Sequence, residues 1–335
     1  MKKFETIINK ILKNSQLSQS ESDYISQGVL EEKFDEYQIV TLLSFLFKKG
    51  ESFEEIYAFV KILRKKMSKI SLPGPIMDTC GTGGDHKNSF NFSTATSIVL
   101  SACNVKIAKH GNRSVTSKSG SFDVLESLGI KIDLNEKDTV KFFKKNGICF
   151  LFAPKYHSIL KNVAKIRKSL PFRTIFNLLG PLLNPVKLNY QIIGVSDEKN
   201  LETHAKCLSM LKLKKAWVVF NTNGYDELTS TSNNLYIEIK DGIISKKKKL
   251  DPKELGFRVR QENELRGGSA RENAFIMKRT FEGETGAIRD NIVLNSAAGL
   301  LISEKVKTLN QGIKVVESKI DNGLVLNKLL SLIAK

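Results

Sequence analysis

The opening 70 residues or so repeat apolar positions every three or four residues, the spacing that gives a helix one buried face. Ser18 with Glu21, and Ser52 with Glu55, have the spacing of a capping box, in which hydroxyl and carboxylate satisfy exposed amides at a helix start. Gly50 suits a stop between them. An all-helical N-terminal domain over residues 1–70, with four helices, is therefore predicted. After Pro73-Gly74-Pro75 the period changes. Short apolar runs at 76–80 (IMDTC), 105–108 (VKIA), 148–152 (ICFLF), 190–195 (YQIIGV) and 216–220 (AWVVF) alternate with helical segments. Strands separated by helices favour a mainly parallel central sheet covered on both faces. The predicted class is thus α/β: a small helical domain followed by a larger α/β domain over 75–335, with part of 165–190 joining the helical one. Residues 235–261 differ, because Asp241-Gly242 reads as a hairpin turn and predicts a local antiparallel excursion.

A length of 335 residues with 41% hydrophobic content supports a sizeable core and two domains. No uninterrupted apolar stretch reaches the ~18 residues of a membrane span, and the N-terminus (MKKFETIINK) soon returns to charge, so a cytoplasmic protein is expected. Cys80, Cys103, Cys149 and Cys207 form no C-x-x-C pair. That argues for buried reduced thiols over a zinc site or a disulfide framework, with a reactive thiol at Cys80 as the alternative. The formal charge is +18, and lysine supplies 43 of the 53 basic residues. Such a scattered lysine excess reads as a solvated surface, since arginine is the residue suited to forked recognition of phosphates and bases. The run Lys246–Lys249 reads as an exposed loop, with nucleic-acid contact as the competing reading.

Candidate chemistry begins where the strand 76–80 runs into Gly81-Thr82-Gly83-Gly84-Asp85 and a helix from about Ser93 to Cys103. Glycines let several backbone N–H groups face one anion, and a helix N-terminus adds partial positive charge. A tight structural turn explains the glycines about as well; neither the Rossmann spacing nor the Walker lysine is present. Asn91, Ser93 and Thr94 suit either helix capping or contact with a phosphate or magnesium ion. A second constellation, Lys109-His110-Gly111-Asn112-Arg113-Ser114-Val115-Thr116-Ser117, follows the strand 105–108 and precedes a helix over 122–128 that Gly129 would end. Cations, an amide and hydroxyls at the carboxyl end of a strand stand where open α/β sheets bind ligands.

These residues, GTGGD, NFSTA, KHGNRSVTSKSGSFDVLESLG, RTIFNLLGPLLNP, the pair Asp226-Glu227 in GYDELT, and the late GETGAIRDNIVLNSAAGLL, resemble the anthranilate phosphoribosyltransferases in content, order and spacing. The likeness covers nearly the whole chain. It implies a helical domain hinged to an α/β domain of the nucleoside-phosphorylase type, usually in a homodimer. It also implies phosphoribosyl pyrophosphate (PRPP) and two Mg2+ ions at the hinge, with anthranilate as the acceptor. By the same resemblance PRPP falls to Gly81, Gly84 and Asp85, then to Ser89, Asn91, Phe92, Ser93 and Thr94, then to the loop Lys109 to Ser117 and Ser121. Magnesium falls to Ser93, Asp226 and Glu227, and anthranilate to Gly81, Asn112 and Arg167. Lys109 and Arg167 are the residues expected to carry catalysis.

The chemistry of these substrates fits those residue types. PRPP needs backbone donors, a lysine and metal ions against its dense negative charge, and adjacent carboxylates supply hard oxygen ligands. The anthranilate amine is unprotonated at neutral pH, so positioning and electrostatics outweigh a general base. His110 is the nearest candidate base, and a loop-ordering histidine is the better reading. Pro171, Ser158 and Phe122 depart from the family's glycine, proline and alanine, which bears on the anthranilate channel and on no expected ligand. Two rival readings are a nucleic-acid-binding homologue of the same fold and a pyrimidine nucleoside phosphorylase. Lys109, Asn112, Arg167, Asp226 and Glu227 argue against the first, and KHGNR with RTIFNLLGPLLNP against the second.

Overall fold

The computed structural model describes residues 2–113 and 118–333, so Ser114, Val115, Thr116 and Ser117 lie outside the described residues. The chain divides into two compact units, residues 1–69 with 154–185, and residues 70–153 with 186–335.

The first unit opens with the helices Lys2–Leu12, Gln19–Leu30, Glu36–Lys49 and Phe53–Lys66. The capping boxes at Ser18 and Ser52 both form, and Asp35 with Gln38 makes a third. Gly50 takes φ 85° and ends its helix, a conformation that costs glycine little. Ile25, Val29, Leu42, Leu46, Phe59 and Leu63 are wholly buried at the recurring apolar positions. The later segment returns to this unit: Ser68 N–H donates to the Tyr156 carbonyl at 2.9 Å, and the Phe59 and Phe176 rings meet edge to face at 5.4 Å.

The second unit is built on one sheet of eight strands: β1 Ile76–Gly81, β2 Lys106–Gly111, β3 Ile148–Phe152, β4 Tyr190–Gly194, β5 Lys215–Asn221, β6 Asn234–Lys240, β7 Ile243–Ile244 and β8 Lys248–Leu250. The order is β3-β2-β1-β4-β5-β6-β7, with β8 also on β6. The first five strands run parallel, and all five apolar runs of the sequence form them. Pairs involving β6 are antiparallel, with the hairpin turning at Asp241-Gly242. One expectation needs correction: Lys246–Lys249 is exposed as anticipated but is only half loop, since Lys248 and Lys249 sit in β8 and pair with Tyr236 and Leu235. Alternation with water on one face lets an edge strand carry charge, and a strand of lysines reads in sequence as a loop.

β1 has β2 on one side and β4 on the other, so the connection direction reverses between β1 and β4. Such a reversal opens a crevice beyond the carboxyl ends of the strands. The helix Phe92–Ala102, buried on nearly every side, packs against β1 and against the helix Ala287–Ile302.

Candidate active site

β1 and β4 end side by side in Gly81 and Gly194, paired in register. The loop after β5 brings Asp226 onto both. A Cβ on Gly81 would overlap Asp226 Oδ2 and stand 2.8 Å from its Cγ, and one on Gly194 would overlap the Asp226 backbone carbonyl. These glycines are required by close approach, not by backbone angle. Gly83 and Gly84 differ: φ values of 68° and 70° place both in the left-handed region, where other residues pay a steric penalty. The Gly83 N–H is thereby turned onto Asp226 Oδ2 at 2.7 Å. One amide of the expected phosphate cradle is thus already used to orient a carboxylate. Asp85 organises the rest of this loop, accepting from Lys87 N–H at 3.1 Å and from Ser89 Oγ at 3.5 Å.

Glu227 reaches the start of the helix Phe92–Ala102, where its Oε1 accepts from Ser93 N–H at 3.2 Å. Its Oε2 is buried and has no hydrogen-bond partner among the described residues. Burial pushes the Glu227 carboxyl well above the usual carboxylate range, and Asp226 and Asp85 push it further. Lys109 answers this charge from β2. Only 1% exposed, it donates to the Thr79 carbonyl at 2.7 Å and to Ser93 Oγ at 3.2 Å. Burial lowers its pKa, while Asp78, Cys80 and Glu227 hold it up. The Thr79 hydroxyl and Ser97 complete the group, both on the Ser93 carbonyl at 2.9 Å. Lys109 is therefore an internal counter-charge to Asp78 and Glu227. Sequence position alone suggests a cation facing solvent.

The capping reading of Asn91 does not hold, because the residue stands at the helix N-cap without a side-chain cap bond. Its Oδ1 instead accepts from Asn273 Nδ2 at 2.7 Å and from Ser119 Oγ at 3.1 Å. Asn273 is 2% exposed and also donates to Ser119 Oγ at 3.1 Å, so it ties the start of this helix to the end of the second loop. Nothing in the sequence marks Asn273 except Gly267-Gly268 just before its helix; a Cβ on Gly267 would stand 2.7 Å from Asn273 Oδ1. Phe92 and Thr94 are buried beside it, with the Thr94 hydroxyl lacking a partner among the described residues.

In the second loop His110 donates its backbone N–H to Asp78 Oδ1 at 3.3 Å. A Cβ on Gly111 would stand 2.6 Å from Ser121 Oγ, and Ser121 Oγ donates to the Asn112 carbonyl at 3.2 Å. Asn112 is exposed. Arg113 lies against Glu126, with Nη2 to Oε1 at 2.7 Å. Phe122 is fully buried against the Phe152 ring at 5.2 Å. Burial pushes the Cys80 thiol well up, which disfavours the thiolate and agrees with a structural cysteine.

Arg167 belongs to the first unit, on the helix Lys161–Ser169. Its guanidinium lies over the Phe176 ring at 5.0 Å, and no acidic partner is found for it among the described residues. A half-buried, unpaired guanidinium on an aromatic face suits a carboxylate ligand. In the same unit Pro171 and Ser158 are exposed, and His157 is buried with its pKa lowered to about 4.

The oxygens of Ser93, Asp226 and Glu227 form a hard donor set, and the unpartnered Glu227 Oε2 fits a magnesium ligand. No three His, Cys, Asp or Glu side chains cluster as a metal cage among the described residues. No helix among the described residues is long and apolar enough to cross a membrane.

Residues 73–326 match the family described as "Glycosyl transferase family, a/b domain", and residues 5–67 its "helical bundle domain". Fold and site thus define a two-part glycosyltransferase. A relative from Petrotoga mobilis, an anthranilate phosphoribosyltransferase, is 43% identical over 97% of this chain and 95% of its own; one from Brevibacillus brevis is 42% identical over 96% and 94%. The solved enzyme of the same name from Thermus thermophilus superposes with TM-score 0.88 at 30% identity, covering 97% of this chain and 98% of that one. The Saccharomyces cerevisiae enzyme in complex with PRPP and Mg gives TM-score 0.88 at 28% identity, covering 98% and 96%. The chain belongs to the anthranilate phosphoribosyltransferases. These relatives and solved structures carry that name, which favours it over both rival readings.

Proposed function

We propose that the chain transfers the 5-phosphoribosyl group of PRPP to the amine of anthranilate, giving N-(5-phosphoribosyl)anthranilate and pyrophosphate in tryptophan biosynthesis. The observation that carries the site assignment is the convergence of Asp226 and Glu227 on Gly83 and Ser93, with the Lys109 ammonium on Ser93 from below. Ser93, Asp226 and Glu227 hold magnesium, two ions per site, and bound magnesium offsets the charge gathering on pyrophosphate as it leaves.

The protein's own residues do the rest. Gly81, Gly84 and Asp85, then Ser89, Asn91, Phe92, Ser93 and Thr94, and the loop Lys109 to Ser117 with Ser121 receive PRPP. Gly81, Asn112 and Arg167 receive anthranilate, with Arg167 pairing its carboxylate. The amine nitrogen bonds to ribose C1 as the C1–O bond to pyrophosphate breaks, and the nitrogen then gives one proton to water. The sugar gains oxocarbenium character in between, so orienting two bound substrates is the main contribution. No side chain is needed as a strong base. A homodimer completes the reading, and a cytoplasmic location agrees with both substrates being soluble metabolites.

Acceptor choice tests this reading. Pyrophosphate release from PRPP is expected with anthranilate and absent with inorganic phosphate or no acceptor. Phosphorolysis of thymidine without magnesium would instead support a nucleoside phosphorylase.

A further inference from the structure

The segment RDNIVLNSAAG lies in the helix Ala287–Ile302, a helix buried along nearly its whole length. Two asparagines in such a helix are costly unless every polar atom finds a partner. Asn291 is 0% and Asn295 6% exposed, one helical turn apart and so on one face. Both face the acidic loop. Asn295 Oδ1 accepts from Leu228 N–H at 3.2 Å, and its Nδ2 donates to the Leu228 carbonyl at 2.7 Å. Asn291 Oδ1 accepts from Ser230 N–H at 2.7 Å. Between them, Asn234 at the start of β6 treats Thr229 in the same way, accepting from its N–H and donating to its carbonyl, both at 2.9 Å.

Three consecutive backbone amides directly after Glu227 are therefore each taken by the side chain of a buried asparagine. At Leu228 and Thr229 one asparagine amide both accepts from the N–H and donates to the carbonyl of the same residue, which neither an aspartate carboxylate nor a leucine of similar size can do. The same loop is held on its other side by the Gly83 bond to Asp226. Asn295 also lines, with Thr96, Ser93 and both acidic residues, a cavity of about 20 Å³ beneath the carboxylates, room for about one water molecule.

We infer that Asn234, Asn291 and Asn295 are positioning residues for the metal-binding pair Asp226 and Glu227, holding two adjacent carboxyl groups in a ligating geometry before metal and substrate arrive. Left free, two adjacent carboxylates would turn apart, and the metal would then have to draw them together. Fixing the peptide planes after Glu227 removes that cost in advance. This rests on the assignment of magnesium to Asp226 and Glu227.

The test uses Mn2+ as the probe, with binding to the full chain in the presence of PRPP followed by loss of the free-ion EPR signal. Asn295→Ala is expected to raise the Mn2+ dissociation constant about 10-fold, as lost outer-shell partners of metal ligands do. Turnover at saturating magnesium should return towards the wild-type value. Leu329→Ala, a core deletion remote in sequence from the acidic loop, should lower thermal stability and leave Mn2+ affinity unchanged. If Asn295→Ala does not fold, Asn291→Ala carries the test, since it frees one amide and leaves the other two clamps in place; a smaller rise is expected. Wild-type Mn2+ affinity in a folded Asn295→Ala or Asn291→Ala protein would overturn the inference. The double variant Asp226→Ala with Glu227→Ala separates the two levels. If it loses Mn2+ while the asparagine variants do not, only the positioning role fails; if it binds Mn2+ like wild type, the metal assignment itself fails.

Discussion

Asp226 lies against Gly81 so closely that its carboxylate occupies the place a β-carbon on Gly81 would fill. Gly81, the last residue of β1, is thus a spacing residue for a carboxylate delivered 145 positions later in the chain. Gly81→Ala is expected to leave the sheet intact and displace Asp226, weakening magnesium activation and raising the PRPP KM about 10-fold or more. Steady-state kinetics at varied magnesium checks this, and an unchanged magnesium response would show that Asp226 is not held there for metal binding.

Lys109 is buried between the Thr79 carbonyl and Ser93 Oγ, beside Asp78 and Glu227. Lys109→Met would leave those groups without their cation. Breaking a buried charged arrangement by removing one partner costs about 3–5 kcal/mol. A clear fall in the denaturant midpoint of the α/β unit is expected alongside lost activity. Activity lost with wild-type stability would place Lys109 in the chemistry alone.

Arg167 has an aromatic ring beneath it and no acidic partner among the described residues. Loss of a charge-assisted hydrogen bond costs about 1.5–3 kcal/mol, so Arg167→Ala should raise the anthranilate KM roughly 10- to 100-fold. The PRPP KM should change little. Arg167→Lys should recover only part of the loss, because an ammonium lacks the planar fork. A normal anthranilate KM in Arg167→Ala would refute the assignment.

His157 sets a pH dependence in the helical unit. Burial lowers its folded pKa to about 4, against about 6.5 for an unfolded histidine. A depressed folded pKa means that the unfolded chain binds the proton first as pH falls. The stabilisation is complete above about pH 6.5 and is lost down to about pH 4, at about 1.4 kcal/mol per unit. Thermal unfolding across that window should show His157→Gln losing less stability on acidification than wild type. Parallel curves would exclude His157 as the source.

Much of this was legible in the sequence. The five parallel strands each contain a short, mostly apolar run, and the capping boxes at Ser18 and Ser52 are local, so adjacent residues carry both signals. β8 escaped because Lys248 and Lys249 look like loop, and strand pairing with β6 is invisible in composition. Asn91 looked like a cap because its neighbours suit one, yet its partner Asn273 lies 182 positions away. The same distance problem hides Asn291 and Asn295, whose bonds reach back to residues 228 and 230. Sequence names the groups that meet a ligand more readily than the groups that hold them, since the latter are chosen by tertiary contact.

Anthranilate fluorescence gives the most direct test of the central claim. Purified protein is mixed with anthranilate, PRPP and magnesium, and each component is left out in turn. Loss of fluorescence that needs all three is the predicted result. Unchanged fluorescence from folded protein with all three present would contradict the assigned reaction.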